Sequence, residues 1–337
     1  MHIENTPIYY YQTYMGHARG SNASAPIIVA GPEDQILIDA GTGVGRRTKE
    51  ILVLMQKDGL DLARTTKICL THPHPDHCRG VSFYRQFIAR AGGNDNVPVY
   101  VHPDGVQFLE DPTLEKKKNA AELGPDRKAI TKIPDSLVGI AFNYLLGKSR
   151  RYDNVHPLKD AQIFELGGGH QVKVLFTPGH SREHIAYLVD DHILVSSDLI
   201  SFKENDGMMG SLASLNNGLS DYGLEVRTLE KLADFEITNL ITSHYGIFSG
   251  REKIHEFFLQ AKQRAEKMLE NIQEILKEQQ RPFRIKELVP RVIPYKNFLS
   301  GPATRQSTVY CLLKHLVRQG KVKRELGPKG VTWSWAA

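Results

Sequence analysis

The segment THPHPDHCRG, residues 71–80, puts His72, His74, Asp76 and His77 within six positions of one another. Neutral imidazole and carboxylate are ligands that zinc accepts, as do iron and manganese. A lone histidine is more often structural, but four ligand-type side chains so spaced point to a metal site. Three further residues of the same types follow: His180 in TPGHSREH, Asp198 at the end of ILVSSD, and His244 after NLITS. Such a set supports hydrolysis. A bound metal lowers the pKa of a water from about 15.7 to about 7 and polarises the oxygen under attack. No side-chain nucleophile is then required, and no GxSxG occurs.

The elements that must position these residues are legible from apolar runs and turn residues. APIIVA and QILIDAG, split by GPED, read as a β-hairpin. Arg47–Lys57 and Phe83–Arg90 have helical spacing, and TKICLTH and VPVYVHP read as buried strands. QIFELGGG, QVKVLFTPG, IAYLVDD, HILVSSD and NLITSHYG are further strands, with a helix over Leu224–Leu232. Every candidate ligand therefore falls at the C-terminal end of an expected strand, where layered α/β domains often build sites. Residues 103–160 are too long for a plain connection. They carry the apolar stretch LVGIAFNYLLG, which reads as a helix covering the core or as a lid or substrate wall.

The ordered blocks, with Asp39 of LIDAGTG, then HxHxDH, TPGH, Asp and His, resemble the metallo-β-lactamase superfamily, closest to its glyoxalase II-like branch, over residues 25–250. The resemblance implies an α/β fold, a four-layer αββα sandwich. It also implies a two-metal site, with zinc the default and iron or manganese the alternatives. His72, His74 and His180 would hold one metal, and Asp76, His77 and His244 the other. Asp198 would bridge both, and Asp76 and Asp198 would be the catalytic carboxylates. Asp39 would orient a ligand histidine, and His184 would be a supporting residue. Pro73 and Pro75 stiffen the loop, and CRG and SSD depart from the usual residues without removing a ligand. Cys78 is not expected to bind metal, since the adjacent His77 fills that role. A histidine stands where the flavodiiron branch has glutamate, which argues against redox chemistry. With all seven ligands present, a binding protein with a spent active site is disfavoured.

The 337 residues carry a net charge of +5, unevenly spread. Residues 251–337 have a balance of +10 and the remainder −5. The sequence thus divides into a catalytic domain over 1–250, with the 103–160 insertion, and a tail over 251–337. The tail reads as a long linker helix with Glu and Lys three or four apart, then short helices and a hairpin. That is a winged-helix layout, and it is similar to a subgroup of the superfamily that includes endoribonucleases.

Two substrate classes follow. The favoured one is a small thioester, ester or lactone, with Phe142, Tyr144, Leu145 and Leu146 walling an acyl pocket. The alternative is RNA or single-stranded nucleic acid, with Lys314, Arg318, Lys321, Lys323, Arg324 and Lys329 meeting phosphates. Tyr222 and Tyr245 are expected to pack rather than to face an oxyanion, as are Trp333 and Trp335. Cys69, Cys78 and Cys311 form no CxxC, which fits a reducing compartment. No signal peptide is visible in MHIENTPIYYYQTYMG and no apolar run reaches about 20 residues. The expectation is a cytoplasmic hydrolase without membrane contact, with a homodimer possible through the insertion or the tail.

Overall fold

The computed structural model describes residues 1–14, 22–130, 135–205, 208–293 and 302–336. Two six-stranded sheets pack face to face. The first runs, in spatial order, Ile8–Tyr10, Ile27–Ala30, Gln35–Ile38, Thr65–Cys69, Val99–Val101 and Val155–Pro157. Its hairpin is in register, with Ile27 opposite Ile38 and Val29 opposite Ile36. Alternation then sorts the side chains. Ile27, Val29, Ile36, Ile38 and Cys69 enter the core between the sheets. Ile28, Leu37 and Ile68 face the helices Gly45–Lys57 and Val81–Arg90, meeting Ile51, Leu52, Met55, Tyr84 and Ile88. Each such fully buried aliphatic contributes roughly 1.5–3 kcal/mol relative to exposure. At Gly31, in the hairpin turn, an added Cβ would lie 2.2 Å from the Leu166 carbonyl of the opposite sheet, so only glycine admits this approach.

The second sheet runs Gly246–Ser249, Asn239–Thr242, Ile193–Ser197, Ile185–Val189, His170–Phe176 and Ile163–Gly167. Its outer face, through Leu175, Leu188, Leu194 and Leu240, is covered by helices Tyr222–Ala233 and Arg251–Gln279. The order helix, sheet, sheet, helix is the expected four-layer sandwich. A hairpin of Ile200–Asn205 and Met208–Ala213 was not legible in the sequence.

The long helix Arg251–Gln279 is not polar all round. Ile254, Phe257, Phe258, Ala261, Ala265, Met268, Ile272 and Leu276 make a buried stripe at three- and four-residue spacing. The Glu and Lys read from the sequence occupy its other face, where Lys267 and Glu270 lie 3.3 Å apart. Helix Ile285–Val292, with Pro290 inside it, helix Pro302–Arg318 and the hairpin Val322–Gly327/Gly330–Trp335 follow. Their apolar residues, including Phe283, Leu312, Leu316 and Trp333, belong to the same continuous cluster as Leu188 and Leu194.

The 103–160 insertion is helical, with Val106–Glu110, Leu114–Leu123, Arg127–Ile130 and Asp135–Leu146 as its main elements. Leu146 is buried, but Tyr144 is 67% exposed and Leu145 half-exposed, and Phe142 lies outside the residues whose side chains are described. Among the described residues no helix is long and apolar enough to cross a membrane.

Candidate metal centre

Topology brings the candidate ligands to one edge. In the first sheet, Gln35–Ile38 and Thr65–Cys69 are parallel, so Asp39 and the loop of His72 leave from the same end. In the second, Ile193–Ser197 and Asn239–Thr242 are parallel, which does the same for Asp198 and His244. His170–Phe176 and Ile185–Val189 are antiparallel with Phe176 opposite Ile185, so the loop carrying His180 closes at that end as well. Two backbone hydrogen bonds stitch the sheets there, Ile185 N–H to Thr71 O at 2.8 Å and Ala25 N–H to Ser243 O at 3.2 Å.

All seven residues named as ligands from the sequence meet at this edge. They form two groups, His72, His74, His180 and Asp198, and Asp76, His77 and His244, with ligand atoms within 4.8 Å of one another. In the first group Nδ1 of His74 lies 2.8 Å from His72 Nε2 and 3.0 Å from His180 Nε2. In the second, His244 Nε2 is 3.5 Å from Asp76 Oδ2, and His77 Nε2 is 3.7 Å from the same atom. Asp198 stands between them. It is 3.1 Å from His244 and 3.4 Å from His77 on one side, and 3.7 Å from His180 and 3.9 Å from His72 on the other.

The surroundings fix which ring nitrogen is bare. His77 Nδ1–H donates to Asp39 Oδ2 at 2.8 Å, and Asp39 is itself held by the Thr71 N–H at 2.8 Å. His180 Nδ1–H donates to the Ser214 carbonyl at 2.9 Å. His72 Nδ1 lies 3.0 Å from the Thr71 hydroxyl. These assignments follow from the network and leave Nε2 of His72 and His180 as lone pairs directed into the site. At His77, burial is outweighed by Asp198, Asp39 and Asp76, which raise it well above the usual histidine range, so its ring keeps both protons until a cation displaces one. The Pro-flanked loop turns His74 the opposite way: His74 caps the short helix Pro75–Cys78, and its Nδ1 points inward.

This donor set fits a pair of cations. Lone pairs about 3 Å apart with no proton between them repel, and a cation at their focus removes that repulsion. His77 Nε2 is buried and makes no hydrogen bond, and buried Asp198 Oδ1 has the His244 ring 3.1 Å away, an arrangement a bound cation would complete. Burial and the neighbouring imidazoles hold His72 well below the usual histidine range, and burial and His74 bring His180 down to about 4. Both are thus neutral, the form that ligates. Burial would also lower His244, but Asp198 and Asp76 outweigh it and raise His244 to about 9.

The remaining sequence candidates lie outside the two groups. His184 is buried with Nδ1 2.8 Å from the Thr177 hydroxyl. Cys78 donates to the Pro73 carbonyl at 3.3 Å, and burial pushes its thiol up, so it stays protonated. Arg79 is buried and caps the end of the insertion helix through Asn143 and the Gly147 carbonyl. Tyr222 stacks against His315 at 4.7 Å and Tyr245 packs against the second sheet's outer core.

The structure adds residues that sequence reading missed. Glu115 of the insertion helix puts Oε1 3.2 Å from His74 Nε2, and Asn217 Nδ2 lies 3.2 Å from the same atom. Glu225, fully buried, accepts the Ser214 N–H at 3.1 Å and so braces the residue that orients His180. It also demands the glycine of TPGH, since a Cβ at Gly179 would lie 2.0 Å from its Oε2. None of these carried a local signal, because each acts across a long sequence separation.

Lactamase-like protein nscB of Aspergillus fumigatus is 26% identical over 177 residues, 52% of this chain and 36% of that protein. The same protein of Neosartorya fischeri is 25% identical over the same share, so the chain spans about a third of the length of the curated relatives it matches. Among solved structures, a metallo-beta-lactamase family protein of Thermus thermophilus superposes with a TM-score of 0.70 at 20% identity, covering 98% of this chain and 99% of that one. A beta-lactamase domain protein of Burkholderia ambifaria gives 0.72 at 16% identity, covering 99% and 93%. At such identities these likenesses speak to the fold alone, and they extend through the tail. The family model of the metallo-beta-lactamase superfamily matches residues 20–244, and the chain belongs to that superfamily.

Proposed function

We propose that this chain is a dinuclear metal hydrolase, with zinc the first candidate ion, acting on a thioester, ester or lactone. The observation that carries the reading is the convergence of seven His and Asp ligand atoms in two adjacent groups. His72, His74 and His180 would hold one ion and Asp76, His77 and His244 the other, with Asp198 standing between the two groups. When bound, such a pair supplies a water acidified toward neutral pH and polarisation of the carbonyl under attack. The chain's own residues do the rest. Asp39 and Ser214 fix the rings of His77 and His180. Asp198 sets the separation of the two ligand groups, and Asp76 holds a carboxylate where the proton of the incoming water can go.

The nucleic-acid reading loses half of its basic residues in the tail, while Lys321, Lys323 and Lys329 stay exposed. Of the six basic residues that could meet phosphates, Lys314 pairs with Glu122, Arg318 with Asp221 and Arg324 with Asp126. Trp333 is buried and Trp335 covers Lys277, so neither offers a stacking platform. The winged-helix reading of the tail, as a packing module, remains part of this proposal.

The test is metal content of protein purified without added metal, with turnover on a thioester, a lactone and a fluorogenic single-stranded RNA. His74→Ala serves as the blank. About two ions per chain and acyl turnover absent from the blank support the reading. RNA cleavage that weakens steeply with salt overturns the substrate class, and a folded chain that takes up no metal overturns the reading as a whole.

A further inference from the structure

If His74 ligates through the inward Nδ1, its Nε2 carries the proton and needs an acceptor; Asn217 Nδ2, 3.2 Å from that nitrogen, is a donor and cannot be one. Glu115 Oε1, at 3.2 Å, is that acceptor. A carboxylate on the far nitrogen of a ligating imidazole fixes its tautomer and ring orientation and raises its basicity. Glu115 does not belong to the sheets that carry the other ligands. It sits in the first turn of helix Leu114–Leu123 within the insertion. The 214–221 loop, whose Asn217 Nδ2 lies 3.2 Å from the same atom of His74, is outside both six-stranded sheets and meets the His180 loop, Ser220 Oγ donating to the His180 carbonyl at 2.7 Å.

The C-terminal segment ties these two pieces to each other. Lys314, 12% exposed, donates to the carbonyls of Gly218 at 2.7 Å and Ser220 at 3.1 Å, and pairs with Glu122 of the insertion helix at 3.2 Å. Arg324 donates to Asp126 at 2.8 Å and to the Leu123 carbonyl at 3.2 Å, just past the end of that helix. Asp126 is fully buried and also faces Trp333 Nε1 at 3.3 Å. Asn119 then joins helix to loop by accepting the Gly218 N–H at 3.0 Å. Because Asp126 is buried, losing Arg324 would leave its carboxylate uncompensated, whereas the Lys314–Glu122 pair is partly open to solvent.

We infer that the tail is a brace for the metal centre, holding the insertion helix and the 214–221 loop so that Glu115 acts as the positioning residue of His74. The inference rests on the reading of His74 as a metal ligand. It assigns the insertion and the tail one shared task, which neither had from the sequence.

The experiment uses the full-length chain, loaded with zinc and titrated with a competing chelator, alongside the melting temperature of the metal-free form. Wild type holds two ions and His74→Ala loses one. Glu115→Gln retains both but releases one roughly ten- to a hundredfold more readily, with the metal-free melting temperature unchanged. Arg324→Met, remote from the ligands, weakens the same ion. If Arg324→Met does not fold, Lys314→Met is measured in its place. If Glu115→Gln holds both ions as wild type does while His74→Ala loses one, the positioning role is wrong and the metal site stands. If Glu115→Gln weakens one ion but the tail variants do not, the brace is wrong. If His74→Ala keeps both ions, the ligand reading itself falls.

Discussion

Asp198 Oδ1 lies 3.1 Å from Nε2 of His244. The pair spans the two ligand groups and sets their protonation. Burial would raise Asp198, but His244 and His77 hold it well below the usual carboxylate range. Against its own burial, His244 is raised to about 9, mainly by Asp198. In the metal-free chain this pair contributes stability that is fully present below about pH 6.5, the ordinary histidine value, and is lost as the pH rises through about 9. Asp198→Asn removes the cause. Melting curves in chelator from pH 6 to 9.5 should show the gap between wild type and variant narrowing with pH. A constant gap contradicts the coupling.

The same substitution removes the one carboxylate that, among the described residues, is placed against both groups. Asp198→Asn is expected to bind at most one ion per chain and to lose at least about a hundredfold in kcat on any substrate the wild type turns over, on the scale of losing one strong electrostatic contribution. Elemental analysis and turnover on one preparation decide this, and two tightly held ions in the variant would refute it.

Asp39 makes a different contribution, since it touches His77 on the side away from the site. Asp39→Ala leaves the ligand count intact but frees the ring and leaves the Thr71 N–H unpaired. Metal affinity should fall roughly ten- to a hundredfold. Chelator competition measures this directly, and unchanged affinity would show that the ring is held by packing alone.

Glu225 is fully buried, and burial raises it to about 8. A carboxyl whose folded value lies above its unfolded one, about 4.3, contributes stability at acid pH that is lost as the pH rises through about 8. Glu225→Gln should therefore lose less stability than wild type between pH 5 and 8.5. Equal slopes in the two melting profiles would count against a protonated Glu225.

Trp333 fills the junction of hairpin, long helix and insertion, 1% exposed and edge-on to Tyr310 at 5.9 Å. Trp333→Ala should cost about 3–5 kcal/mol. Because its cluster is continuous with the outer core of the second sheet, the loss should appear as a lower single transition. An early, separate melting of the tail would show that the two parts fold independently.

The strands, the principal helices and the seven ligand candidates were legible because their signals are local. Apolar runs of strand length end in Gly, Pro and Asp, and the histidines cluster at those ends. Less was visible where one residue serves a distant one. The hairpin of Ile200–Asn205 and Met208–Ala213 has no strong alternation to announce it. The long helix read as polar because its charges are frequent, and its apolar stripe shows its purpose only against the second sheet.

The sequence by itself determined that imidazoles and carboxylates gather at the strand ends, and with them the superfamily. Tertiary structure alone decided which nitrogen each histidine turns inward, that Glu115 and Asn217 meet His74, and that Lys314, Arg318 and Arg324 are held by carboxylates of the body rather than open to phosphates. Those choices depend on pairs separated by tens to hundreds of residues. Their energies exist only after chain closure has brought the partners together, and no local pattern in the sequence records them.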